Sequence, residues 1–153
     1  MDKTNKVDLL GMDRKTMETY FTEIGEKPFR AAQVMKWIHQ HGVSDFDEMT
    51  NLSKALRENL KSVAQVRTPK IVAEQFSDDG TIKWLLEVDN HNSIEAVYIP
   101  EKNRGTLCIS SQVGCALECT FCSTGQQGFN RNLESWEIIA QMWVANKALG
   151  CKP

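Results

Sequence analysis

Three of the five cysteines in this chain fall within eight residues, Cys115, Cys119 and Cys122 of CALECTFC, inside the longer run SSQVGCALECTFCSTGQQGFNRNL at 110–133. Two chemistries compete for them: a disulfide-closed loop, or a thiolate cage for a metal. The first ten residues, MDKTNKVDLL, hold no apolar leader segment, and no stretch approaches the roughly 18 apolar residues of a membrane span. The expected setting is therefore cytoplasmic, away from membranes. Thiols stay reduced there, and an odd, clustered set of cysteines reads as metal ligands or redox groups. The Cys-x3-Cys-x2-Cys spacing suits an iron–sulfur site, because three thiolates from one loop can hold three irons of a 4Fe-4S cluster and leave the fourth open as a binding site. Zinc comes next, although structural zinc usually takes four protein ligands, and short motifs also arise by coincidence.

Neighbours of the motif have both a chemical and a plain reading. Phe121, beside the last cysteine, would shield the sulfurs from water or serve as an ordinary core aromatic. Gly125 and Gly128 would let the loop backbone approach a bound group, or simply form turns. Arg131 would meet a phosphate or close a salt bridge. Upstream, TLCIS at 106–110 alternates so that Thr106, Cys108 and Ser110 share one face and Leu107 and Ile109 the other. Cys108 is then either a buried inert thiol or, on its polar face, an accessible nucleophile. In IEAVYIP, Glu95 shares a face with Val97 and Ile99, and a carboxylate among apolar neighbours is costly unless a nearby Lys or Arg pairs with it or it has a task.

These residues need elements to hold them. The composition, 41% apolar and 25% charged over 153 residues, is that of one soluble globular domain or one with a small companion. Its 18 basic and 20 acidic residues create no global field for a polyanion, so nucleic acid would have to be met by local patches. From Val7 to about Ala64 the pattern is helical. Asp13 caps a helix running to Glu23, which Gly25 ends. Pro28 opens a second, with Ala31, Val34, Met35 and Ile38 on one stripe and Gly42 as its stop, and Ser53 caps a third reaching Val63. After Pro69, KIVAEQF and TIKWLLEV read as strands joined at SDDG, where Asp-Gly can supply two positive-φ residues for a tight hairpin. NHNS at 90–93 is a second turn and leads into IEAVYIP. TLCIS is the last strand before the cysteine loop. After the loop, a helix over 134–149 places Ile138, Met142, Ala145 and Leu149 on one stripe, with Glu134 and Glu137 at its positive N-terminal end.

The full string SSQVGCALECTFCSTGQQGFNRNL, with an aromatic before the last cysteine, resembles the radical S-adenosylmethionine (SAM) enzymes, and among them the RlmN family of dual-specificity adenine methyltransferases. The resemblance extends through GEKPFRAAQVMKWI, FDEMTNLSKALRENL, SDDGTIKW and EAVYIPEKNRGTLC, which is nearly the whole chain. It implies an α/β protein in three parts: a helical accessory domain for RNA recognition over 1–66, a β-hairpin or meander region over 67–104, and the start of a radical SAM partial (β/α)6 barrel over 105–153. TLCIS and the 134–149 helix would be its first βα unit. The resemblance further implies methylation of carbon 2 of an adenosine in 23S rRNA and of an adenosine in some tRNAs. That carbon is too electron-poor to attack the methyl of SAM, so the family uses a radical route through a methylcysteine. By the same resemblance, Cys115, Cys119 and Cys122 hold the cluster, with Phe121, Gly125 and Gly128 beside the cluster and SAM. Glu95 removes the adenine proton, and Cys108 resolves the RNA–protein adduct, leaving a disulfide with the methyl-carrying cysteine. Arg30, Lys36 and Arg57 fall on the accessory segment, as RNA contacts or as a solvated helix face. The implied partners are 23S rRNA, tRNA and an electron donor such as a flavodoxin, acting on a monomer.

The sequence also departs from the family's pattern. Only 31 residues follow Cys122, and the later Gly-Glu-Pro motif, the remaining strands and the methyl-carrying cysteine have no counterpart. With the later barrel strands missing, the stripe of the 134–149 helix would lack much of its packing surface. Cys151 matches no family ligand and reads as a free thiol. The expectation is an N-terminal portion that does not methylate RNA by itself. Two other readings stay open: the paralogous methyltransferase acting on carbon 8, and a non-catalytic zinc- or RNA-binding module in which Cys108 completes a four-thiolate site.

Overall fold

The structure is a computed structural model and describes residues 6–89, 91–117 and 119–150. It divides into two compact units, one formed by the residues up to Thr68 with those from Asn146 onward, the other by Pro69–Ala145. Among the described residues no helix is long and apolar enough to cross a membrane.

The first unit follows the expected caps. Helix α1 spans Arg14–Glu23, with the Asp13 carboxylate accepting the Thr16 amide at 2.7 Å. Helix α2, Phe29–His41, begins after Pro28 and ends at Gly42 in the left-handed conformation. Helix α3, Lys54–Val63, is capped by Ser53. Each cap satisfies backbone groups that a helix end leaves without partners. Ala31, Val34 and Ile38 are buried as the stripe predicts, while Met35 is only half-buried. They join Leu9, Met17, Phe21, Leu56 and Leu60 in this unit's core, and each such side chain contributes about 1.5–3 kcal/mol through burial. The sequence pattern missed a short parallel ribbon of β1, Val7–Asp8, and β2, Ala64–Gln65. It closes the unit because the Asp8 carboxylate accepts the Leu10 amide and pairs with Arg67 at 2.7 Å.

The second unit is built on a four-stranded antiparallel meander in the order β3 (Lys70–Phe76), β4 (Ile82–Asp89), β5 (Asn92–Pro100) and β6 (Gly105–Cys108). The SDDG hairpin forms, but not as a two-residue turn. Phe76 pairs with Ile82, and Gly80 alone takes a positive φ, of 84°. The Gly80 amide donates to Ser77 and the Ser77 amide to Thr81, leaving a longer loop in which Asp79 keeps a negative φ and caps Thr81. The turn between β4 and β5 falls where NHNS predicts, with Asn92 already paired to Asp89, and Asn90 lies outside the described residues. Ile94, Ala96, Trp84 and Leu86 fill the core face of the sheet.

TLCIS enters the meander as β6, antiparallel to β5 (Val97↔Cys108, Ile99↔Thr106), and the described strands give it no parallel neighbour. The final helix, α5 (Ser135–Ala148), buries a different face from the one its apolar spacing suggests. Glu137, Ala140, Gln141, Trp143, Val144 and Ala145 are buried, while Met142 is half exposed and Ile138 and Leu149 are intermediate. Two polar side chains displace the apolar stripe because each has specific partners in the same unit, as the site geometry makes plain.

Candidate active site

Register places the candidate reactive groups. Val97 on β5 lies opposite Lys83 on β4 and opposite Cys108 on β6, and Glu95 lies opposite Leu85. Directly paired residues share a sheet face. Lys83, Leu85, Glu95, Val97 and Cys108 therefore stand on one face, and all five line a cleft of about 380 Å³ whose far wall includes Ser123 and Thr124 from the cysteine loop. Cys108 is exposed, so the reading of a buried inert thiol does not hold. Glu95 is likewise half exposed, not sequestered among apolar neighbours, because its face looks into the cleft. Lys83 Nζ pairs with it at 3.1 Å, the local pairing that such a carboxylate requires. An ion pair this exposed adds little stability and acts mainly to orient the carboxylate.

The cysteine loop is held at its base by a ribbon of β7 (Gln112–Gly114) and β8 (Phe129–Asn132). The Cys115 amide donates to the Gly128 carbonyl at 3.1 Å. Gly114 has φ 72°, and a Cβ there would collide with that same carbonyl oxygen, so the ribbon closes only over glycine. Inside the loop the Cys122 amide donates to Cys119 O at 3.1 Å, and Cys122 leads into the one-turn helix α4, Ser123–Gln126. Gly125 is buried against this turn, where a Cβ would lie 2.9 Å from Cys119 N. The close approach expected of Gly125 is thus to the loop's own backbone. Gly128 has open space around it and supplies a positive φ of 74°. Phe121 is 91% exposed, which excludes the ordinary core aromatic, and Thr120 and Phe121 are the corner residues of the Cys119–Cys122 turn.

Cys115, Cys119 and Cys122 are free and half-buried, and the Cys115 sulfur accepts the Leu117 amide at 3.4 Å. Among the described residues no three Cys, His, Asp or Glu side chains converge as a metal cage. The donor chemistry nevertheless fits a group that takes three thiolates: three thiols free of disulfides on one loop pinched at its base and packed by glycine. Cys151 lies outside the described residues.

Arg131 on β8 closes salt bridges. Its guanidinium grips the Glu137 carboxylate with two hydrogen bonds at 2.7 and 2.8 Å and reaches Asp89 at 2.7 Å. Glu137 is 2% exposed and also accepts the Glu134 amide at 2.7 Å, its side chain reaching back to cap the start of α5. Desolvation pushes the Asp89 carboxyl up, but hydrogen bonds from Arg131, Asn92 and the His91 amide outweigh it and hold the group down at about 2. Gln141, one turn beyond Glu137 and fully buried, accepts the Ser110 amide and donates to the Ser110 carbonyl, both at 2.8 Å. Sequence reading missed Lys83, Gly114 and Gln141. For Lys83 the signal was cross-strand register, and for the other two nothing short of the fold could have supplied it.

The three basic candidates on the helices are placed separately. Arg30 donates to Gln33 at 2.8 Å and stacks on Phe29, Arg57 donates to Asp47 O at 2.7 Å, and Lys36 is exposed on α2. Two of the three are thus engaged in local contacts within their own unit.

Residues 7–66 match the family model described as the ribosomal RNA large subunit methyltransferase N-terminal domain. The chain is 59% identical over 150 residues to the dual-specificity RNA methyltransferase RlmN of Pseudomonas fluorescens, a match covering 98% of this chain and 39% of that protein. It is 59% identical over 143 residues to RlmN of Marinobacter nauticus, covering 94% of this chain and 39% of the relative. The chain therefore spans about two fifths of the length of these curated relatives. A crystal structure of a radical SAM methyltransferase from Sphaerobacter thermophilus superposes with a TM-score of 0.86 at 34% identity, over 94% of this chain and 42% of that one. Helical caps, a meander presenting Glu95 and Cys108 together, and a glycine-closed three-cysteine loop accompany these matches: residues 7–66 match the ribosomal RNA large subunit methyltransferase N-terminal domain, and the chain as a whole is similar to RlmN methyltransferases over about two fifths of their length.

Proposed function

We propose that the protein of which this chain is a part methylates carbon 2 of an adenosine in 23S rRNA, and of an adenosine in some tRNAs, by radical SAM chemistry. The observation that carries this reading is the meeting of Glu95 and Cys108 on one sheet face, lining one cleft with the C-terminal end of the cysteine loop. Two RlmN relatives and a radical SAM methyltransferase of known structure support it.

On this reading Cys115, Cys119 and Cys122 hold a 4Fe-4S cluster that binds SAM, with an electron donor such as a flavodoxin as partner. When bound, these cofactors supply the radical that removes hydrogen from a methyl group carried on a cysteine of the family outside these 153 residues. The chain's own residues act around that event. Glu95, oriented by Lys83, takes the proton that leaves carbon 2 of the adenine. Cys108, as thiolate, attacks the carrier sulfur and forms a disulfide; the electron pair of the broken carbon–sulfur bond leaves with the methylene carbon on the RNA, which takes up a proton to become the methyl group. The helical unit recognises RNA. Residues 1–153 alone carry out no methylation.

The test is anaerobic purification of the full-length protein with Cys119→Ala and Cys108→Ala variants. Cys119→Ala should lose iron, colour and activity together. Cys108→Ala should keep the iron and accumulate a covalent protein–RNA species. A normal cluster in Cys119→Ala, or zinc in the unaltered protein, contradicts the reading. Mass spectrometry of the product distinguishes a methyl on carbon 2 from one on carbon 8.

A further inference from the structure

Among the described residues, the buried polar residue of the second unit besides Glu137 is Gln141, at 0% exposure, and the proposed chemistry makes no use of it. Its amide is fully committed. The side-chain carbonyl accepts Ser110 N–H at 2.8 Å, and the amino group donates to Ser110 O at 2.8 Å and to Glu137 O at 3.2 Å. One side chain thus replaces, for Ser110, the two ladder bonds that a further strand would have supplied. Ser110 in turn donates its hydroxyl to the main-chain carbonyl of Glu95 at 2.8 Å. It lies two residues past Cys108, beyond the point where β6 stops pairing with β5. A buried amide on α5 therefore holds the segment between Cys108 and the cysteine loop, and through one hydroxyl ties it to the residue opposite, Glu95. The adjacent turn of α5 presents Glu137, which grips Arg131 on the ribbon at the loop's other end.

We infer that Gln141 is a positioning residue for adduct resolution, fixing through Ser110 the placement of Cys108 relative to Glu95 in the shared cleft. The inference rests on the functional reading above and names what holds its two reacting groups in register. Cys108 and Glu95 stand on different strands, their direct pairing ends at Val97↔Cys108, and Ser110 is the next point at which the two strands are joined. Releasing that point leaves the end of β6 free to drift, and a displacement of about 1 Å in a reacting group can cost up to roughly a hundredfold in rate.

The experiment uses the full-length protein, loaded with its cluster, and follows two steps separately: transfer of methyl to the carrier cysteine, which needs only SAM, and decay of the protein–RNA adduct, which needs Cys108. Gln141→Met keeps the volume and removes the amide. It should slow adduct decay about tenfold while methyl loading and bound iron stay within twofold of the unaltered protein. Ser110→Ala removes only the hydroxyl on Glu95 and should show the same selective slowing, to a smaller degree. The double variant should be no slower than Gln141→Met, because both act through one connection. Adduct decay at the unaltered rate in both single variants overturns the inference. So does a parallel fall of loading, iron content and decay in Ser110→Ala, which would make the contact merely structural. If the unaltered protein itself forms no methylcysteine or RNA adduct, the functional reading has failed and the inference falls with it, an outcome visible before any variant is made.

Discussion

Replacing Arg131 by Met tests how the base of the cysteine loop is secured. The guanidinium makes two hydrogen bonds to Glu137 and one to Asp89, joining β8, the start of α5 and the end of β4. Its loss leaves a carboxylate at 2% exposure with one remaining donor, the Glu134 amide. Removing one partner of a buried ion pair costs about 3–5 kcal/mol, because the stranded charge stays desolvated. Arg131 itself is 32% exposed, so water reaches part of the site, and the retained amide bond offsets more. The expected local cost is about 2–3 kcal/mol, roughly 30- to 150-fold in the opening equilibrium. Hydrogen–deuterium exchange of the full-length protein, read on peptides covering 112–114 and 129–132, measures that opening directly, since these amides report the β7–β8 ribbon. The double variant Arg131→Met, Glu137→Leu should recover most of the protection, because no uncompensated charge remains. A single variant whose ribbon exchanges within threefold of the unaltered protein would refute the reasoning, and so would a double variant no better than the single one.

Three further outcomes follow from the same geometry. Asp89 is held at about 2 in the folded state against a usual carboxylate value of 3.8, so its contribution to stability is fully present above about pH 4 and is lost as the pH falls through 2; acid unfolding of Asp89→Asn should lack that segment of the pH dependence, and an unchanged profile would contradict it. Gly114→Ala forces a Cβ against Gly128 O at φ 72° and should open the ribbon and weaken iron loading, whereas Gly128→Ala, at φ 74° but with open space around it, should cost only about 1–2 kcal/mol; equal effects of the two on ribbon exchange would show that the close approach is not limiting. Residues 1–153 incubated with protein-free 23S rRNA, reconstituted cluster, SAM and reductant should yield no methyladenosine by mass spectrometry, and multiple turnovers from that chain alone would require a different mechanism.

Much of this protein was legible without coordinates because the signals are local. Asp13, Ser53 and Gly42 mark helix ends through groups that each helix terminus needs within a few residues, and they appear where expected. The alternation of strands after Pro69 placed Glu95 opposite in sense to Ile94 and Ala96, and the cysteine spacing singled out one loop. What spacing could not supply was the identity of the partners across the sheet. Glu95 and Cys108 were candidates on separate strands, and only the register Val97↔Cys108 brought them to one cleft, together with Lys83. The buried face of α5 was misjudged for a related reason. Apolar periodicity nominated Ile138, Met142, Ala145 and Leu149; Ala145 is buried, but Glu137 and Gln141 are buried more fully than Ile138, Met142 and Leu149, because Arg131 and the open end of β6 offer them hydrogen bonds and charge that a one-dimensional pattern cannot see. Local sequence therefore determined where elements begin, end and alternate, since those depend on neighbours a few residues away. The tertiary structure decided which polar groups could be buried and which reactive groups would meet, because both depend on partners that are distant in the chain and become neighbours only through folding.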